Sequence, residues 1–290
     1  MPETIRQRYS CIKIRNAQDF SRTFFVANLY IVTINIRHNA CMCQNKHCIN
    51  DTCRNKPPFY ARLTIRRRIR IFKGMRNSIL NKQFRYTYWN ASAVLAGINL
   101  LVFFLVNSNI YIRNYPLTYW LGLSRVFMVN FHAFWQFLTY MFVHQTFAHL
   151  FFNMLALVMF GLALERKIGS NEFLVFYLVC GLVSGAVSYL VYALTGTNIL
   201  LYGASGAIYG LLFLFAVVFP DARLLLFFFI PMRAPVAVLV FALICVFEEI
   251  FMQTGVASLT HLAGMFVAWL YCLIRFRVSP VAIWKNSLRR

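Results

Sequence analysis

Acidic residues are scarce in this chain. There are 8 Asp and Glu against 29 Lys and Arg, and only 13% of the 290 residues are charged. A soluble domain averages about 25% charged and about 45–50% apolar residues. Here 60% are apolar, with 30 Phe, and the mean hydropathy is +0.61. These shortages exclude an ordinary soluble globular protein and point to an integral membrane protein. The net charge of +21 raises nucleic acid as a partner. Its position argues against that: most Lys and Arg lie before Arg85 or after Ile274, flanking the apolar body as cytoplasmic flanks do.

Other absences narrow the reading further. Charged side chains are almost missing from the interiors of the apolar segments, which argues against a transporter or channel pathway. No apolar core is followed by a small-residue cleavage site, so no secretory signal is expected. Cys11, Cys41, Cys43, Cys48 and Cys53, with His38 and His47, invite a zinc reading. Their C-x-C-x4-C-x4-C spacing lacks the paired C-x2-C of common zinc modules, so no metal is expected. Cys180, Cys245 and Cys272 lie in apolar segments and read as small buried hydrophobes.

Residues 1–74 differ from the rest. They are basic and close on "RLTIRRRIRIFKGM" at Met75, with no clean helical or strand period. They read as an N-terminal extension that is either disordered or not part of the translated protein, with Met75 a natural start. Residues 75–290 read as one membrane domain. Measured against the roughly 20 residues that span a bilayer, six apolar segments emerge. They fall at about 88–107, 147–164, 172–194, 204–219, 234–252 and 258–275. The fold class is therefore all-α and polytopic. "LLLFFFI" at 224–230 is assigned to a loop or to the start of the fifth segment, because Pro231 and Pro235 break a helix there.

Basic residues orient the segments. Arg166 and Lys167 follow the second, Arg223 and Arg233 follow the fourth, and the loops after the third and fifth carry no Lys or Arg. Six spans with both termini cytoplasmic satisfy this pattern. Loop 108–146 carries Arg113 and Arg125 on the outer side and is rich in Trp, Tyr and Phe, which suits a segment lying in the interface.

Polar side chains inside a bilayer must be paired or useful. Those inside the segments are His149, Asn153, Ser205, Tyr209, Glu248, Glu249 and His261. His149 and Asn153 are four apart and share a helix face, as do Ser205 and Tyr209. Gly206 with Gly210 forms G-x-x-x-G, and Gly264 with Ala268 forms a small-x-x-x-small pair; both let helix backbones approach closely. If the fourth and sixth segments pack through these faces, Ser205 and His261 lie near each other at the outer side. That is the minimum for a nucleophile and a general base, with His149 and Asn153 as donors to an oxyanion. Ser205 reads equally well as a packing residue in "LYGASGAIYG", and the residues alone leave both readings open. Glu248 and Glu249 read as the outer end of the fifth helix.

The chain resembles the rhomboid intramembrane serine proteases. The resemblance covers about residues 88–276. It rests on "WQFLTYMFVHQTFAHLFFNMLALVMFGLALERKIG" (135–169), "GASG" (203–206) and "HLAG" (261–264). It implies Ser205 as nucleophile and His261 as general base. It further implies that His149, Asn153 and the Ser205 backbone N–H hold the oxyanion, that Tyr209 stacks on His261, and that Gly203, Gly206 and Gly264 shape the site. His144 would be structural, and Glu165 with Arg166 would mark a cytoplasmic helix end. Thr260 stands where many relatives have Ala, and Ala268 where many have Gly. The implied partners are transmembrane protein substrates and the lipid bilayer, with no cofactor and no nucleic acid. The implied location is a bacterial cytoplasmic membrane. A non-catalytic rhomboid-fold protein that binds membrane helices for quality control is the alternative, and the presence of both Ser205 and His261 argues against it.

Overall fold

The computed structural model describes residues 84–289 apart from 197, 227–228 and 252–255. The expectations for residues 1–74, including the N-terminal cysteines, lie outside the described residues. Helix α1 spans Ala91–Val106. A short hairpin, β1 (Tyr111–Ile112) and β2 (Tyr115–Pro116), leads into α2 (Leu117–Leu121), β3 (Leu123–Ser124), α3 (Arg125–Phe131) and α4 (Gln136–Thr139). Helix α5 runs Phe147–Ile168, with a π-helical turn at Leu157–Gly161. Then come α6 (Ser170–Thr195), β4 (Leu200–Leu201), α7 (Ser205–Val218), β5 (Arg223–Leu226), β6 (Ile230–Arg233), α8 (Ala234–Phe251), α9 (Val256–Ile274) and α10 (Pro280–Leu288).

The six long helices coincide with the six apolar segments to within a few residues. By length and composition, α5 and α6 are each long and apolar enough to cross a membrane, while α1 and α7 are apolar but shorter. Leu101 and Phe104 on α1, Leu194 on α6, Leu243 on α8 and Phe266 on α9 all face outward and exposed. A soluble monomer rarely displays such broad apolar surface. Helix α7 is the exception: from Gly206 to Val217 nearly every residue is buried, because α5, α6, α8 and α9 all pack around it. Its N-terminus is thereby held in the middle of the bundle.

Segment 224–230 differs from the expectation. Its described ends are neither irregular loop nor helix but belong to two paired strands, with Arg223 opposite Arg233 and Leu225 opposite Pro231. A two-stranded ladder has free outer edges, so the missing N–H of Pro231 is tolerated. Pro235 falls in the first turn of α8, where a helix lacks an acceptor for that N–H in any case.

Two polar clamps hold the end of the bundle where Glu165 and Arg275 lie. The Glu165 carboxylate accepts from Ala91 N at 2.6 Å, Ser92 N at 3.0 Å, Ser92 Oγ at 2.7 Å and Ser170 Oγ at 2.5 Å. It thus caps α1 from the end of α5 and satisfies the first orphan N–H groups of that helix. Glu172 accepts from Tyr271 Oη at 2.6 Å and from Arg275 at 2.8 and 2.9 Å, which ties α6 to the end of α9. The loop between α1 and α5 is folded rather than extended. Buried Gln136 accepts from Ser124 N at 3.0 Å and donates to Tyr119 O at 2.7 Å, and Trp120 stacks on Trp135.

Candidate active site

Helix α7 begins where Gly203 turns the chain. Gly203 has φ +116°, a backbone conformation side chains disfavour, and a Cβ there would lie 2.7 Å from His149 Cε1. The loop is fixed from two sides. Gly203 N donates to Tyr140 O at 2.9 Å, and β4 pairs with β3 through Leu123–Leu201 and Ser124–Leu200. Helix α7 then starts at Ser205 without a side-chain cap, so its first backbone N–H groups have no intrahelical acceptor. Ser205 therefore sits at a helix N-terminus, beside N–H groups that the helix itself does not satisfy.

The second half of the site comes from α9 by close packing. A Cβ at Gly264 would lie 2.9 Å from Gly206 C and closer still to Gly206 O, and one at Gly210 would lie 3.3 Å from Gly264 O. The two backbones touch along this seam, as small residues permit. His261, one turn before Gly264, is brought to the depth of Ser205. Its ring stacks on Tyr209 at a centroid distance of 4.0 Å and an interplanar angle of 6°. Its Nε2 is buried and has no hydrogen-bond partner among the described residues.

Ser205, His261, Tyr209, Gly203, His149 and Asn153 line one cavity of about 520 Å³. Five of the six come from the start of α5, the loop before α7 and the first two turns of α7; only His261 comes from α9. No hydrogen bond joins Ser205 to His261, although both face this cavity. Catalytic hydrogen bonds are often long before substrate binds. Across the cavity, Asn153 Nδ2 lies 3.0 Å from His144 Nε2, and His144 Nδ1 faces Phe142 O at 3.4 Å. With the His144 proton on Nδ1, Nε2 accepts one Asn153 N–H and leaves the other for the cavity. Burial, and then the neighbouring His149, push the His144 imidazole down to about 4, which keeps it a neutral acceptor.

The family profile for the Rhomboid domain matches residues 132–278. The chain belongs to the rhomboid family. Among curated rhomboid relatives, YdcA of Bacillus subtilis is 37% identical over 87 residues, 29% of this chain and 42% of that protein. Rhomboid protein 1, mitochondrial, of Saccharomyces cerevisiae is 40% identical over 94 residues, 30% of this chain and 26% of that one. Rhomboid protease GluP of Bacillus subtilis is 34% identical over 116 residues, 40% of this chain and 22% of its own. The chain thus matches less than half the length of each. Rhomboids are integral membrane proteins, and the outward apolar faces of this bundle accord with that.

Of the residues singled out in the rhomboid motifs, Ser205, His261, Tyr209, Gly203, His149 and Asn153 line the cavity, Gly206 and Gly264 meet at the helix seam, and His144 contacts Asn153, whereas Glu165 and Arg166 lie at the other end of α5. Two partners were not singled out. Cys245, read as a buried hydrophobe, places Sγ 3.9 Å from His261 Nδ1. Thr260, read as a small replacement, bonds Ser188 on α6 at 2.7 Å. Both contacts join separate helices, and no local spacing signals them.

Proposed function

We propose that this rhomboid is an intramembrane serine endopeptidase acting through a Ser205–His261 dyad. The observation that carries the reading is the shared cavity at the α7–α9 seam. It is lined both by Ser205, at a helix N-terminus, and by His261, whose imidazole stacks on Tyr209 and whose buried Nε2 has no hydrogen-bond partner among the described residues. Ser205 Oγ attacks a peptide carbonyl while His261 Nε2 takes its proton. The imidazolium then gives that proton to the leaving amine. Water, deprotonated by the same nitrogen, hydrolyses the acyl-enzyme and regenerates Ser205. The Ser205 N–H, the free Asn153 N–H and His149 surround the position of the developing oxyanion.

Residues 75–290 form the membrane domain, and all six long helices cross the bilayer with both termini cytoplasmic. Arg166, Lys167, Arg223 and Arg233 then lie inside, and the cavity opens near the outer face. The substrate is a transmembrane segment that unwinds to present an extended backbone, and the host membrane is a bacterial cytoplasmic one. The test is cleavage of a single-span test substrate in detergent by wild type, Ser205→Ala and His261→Ala. Cleavage by wild type alone supports the proposal. Equal cleavage by Ser205→Ala, or none by any of the three, sinks it.

A further inference from the structure

Cys245 touches the proposed base from a helix that carries no other part of the site. It lies on α8, 1% exposed, with Sγ 3.9 Å from His261 Nδ1. The Tyr209 stack fixes the plane of the imidazole but not its rotation within that plane. That rotation is decided by what the two ring nitrogens meet. Nε2 is buried and meets no hydrogen-bond partner among the described residues. Nδ1 meets the thiol. Among the described residues no carboxylate bonds the ring. Glu248, one turn along α8, instead accepts from Ser258 Oγ at 2.7 Å, and Glu249 lies exposed on the same helix. Helix α8 therefore reaches α9 at two polar points one turn apart, and one of them is the imidazole.

A histidine that accepts a proton at Nε2 must carry its own on Nδ1. A buried N–H with no acceptor costs free energy, and sulfur is a weak acceptor. We infer that Cys245 is a positioning residue: its Sγ accepts the Nδ1–H of His261 and holds the ring in the tautomer whose Nε2 lone pair faces Ser205. The kinetic consequence rests on the protease reading, whereas the tautomer does not.

The experiment uses the full chain in detergent micelles with Cys245→Val, which keeps the volume and removes the acceptor, and Cys245→Ser, which restores one. Cys245→Ala is carried alongside in case valine overpacks. The valine and alanine variants are expected to lose about fivefold in kcat at unchanged KM, and the serine variant to stay within about twofold of wild type. The ¹⁵N imidazole resonances of His261, assigned by difference against His261→Ala, should show Nδ1–H in wild type and Cys245→Ser. A mixture with Nε2–H is expected in Cys245→Val. Wild-type kcat in both apolar variants, or an unchanged tautomer, overturns the inference. If wild type cleaves nothing, the protease reading falls and the resonances alone decide the role of Cys245.

Discussion

Replacing Gly264 by Ala adds one carbon at the tightest point between α7 and α9. That carbon would lie 2.9 Å from Gly206 C and nearer still to Gly206 O, whereas non-bonded carbons rest about 3.5–4.0 Å apart. The obstacle is backbone and cannot rotate aside, so the helices must part by about 1 Å. Overpacking of this kind costs about 1–3 kcal/mol. The same displacement carries His261 away from Ser205, and about 1 Å of misplacement costs on the order of 100-fold in rate. The assay pairs thermal unfolding in detergent with kcat on the single-span substrate. Gly97→Ala is the control, because a Cβ there meets nothing within 4 Å; it should leave kcat unchanged and hold or slightly raise the melting temperature, as alanine favours a helix interior. A Gly264→Ala protein that melts and cleaves like wild type would refute the close-packed seam as the device that assembles the site.

Two further predictions concern the frame around the cavity. Glu165→Ala removes the acceptor of four hydrogen bonds from α1 and Ser170, leaves buried donors unpaired, and should lower stability by about 3 kcal/mol, read as a fall in Tm. His144 is neutral in the folded protein down to about 4, whereas an unfolded histidine protonates near 6.5. The unfolded state therefore binds the extra proton between these values. The stability His144 contributes is present above about pH 6.5 and is lost as pH falls toward 4, by about 3 kcal/mol. The difference in unfolding between wild type and His144→Gln across that window isolates this effect, and parallel curves would contradict it.

Much of the frame was legible in the sequence because apolar runs of bilayer length are bounded by polar or breaking residues. The ends of α5, α6, α7 and α8 fall where those boundaries lie. Segment 224–230 misled because a short apolar run has the same pattern in a strand as in a buried helix. Only the pairing of Arg223 with Arg233 reveals the hairpin. In the site, Ser205, Tyr209 and Gly206 were legible from spacing on one helix, and His149 with Asn153 from spacing on another. What joins them was less so. The stack of Tyr209 on His261 entered through resemblance to a family, and the contact of Cys245 with the same ring entered through neither. A thiol among apolar residues looks like any small hydrophobe until a second helix brings a nitrogen against it.

The most direct measurement of the central claim is covalent labelling of the full-length protein by a serine-directed phosphonate, with the adduct located by peptide mass spectrometry. A nucleophile activated by His261 predicts an adduct on Ser205 in wild type, none in Ser205→Ala, and strongly slowed labelling in His261→Ala. An adduct on another serine, or labelling of Ser205 at the same rate without His261, would contradict the dyad.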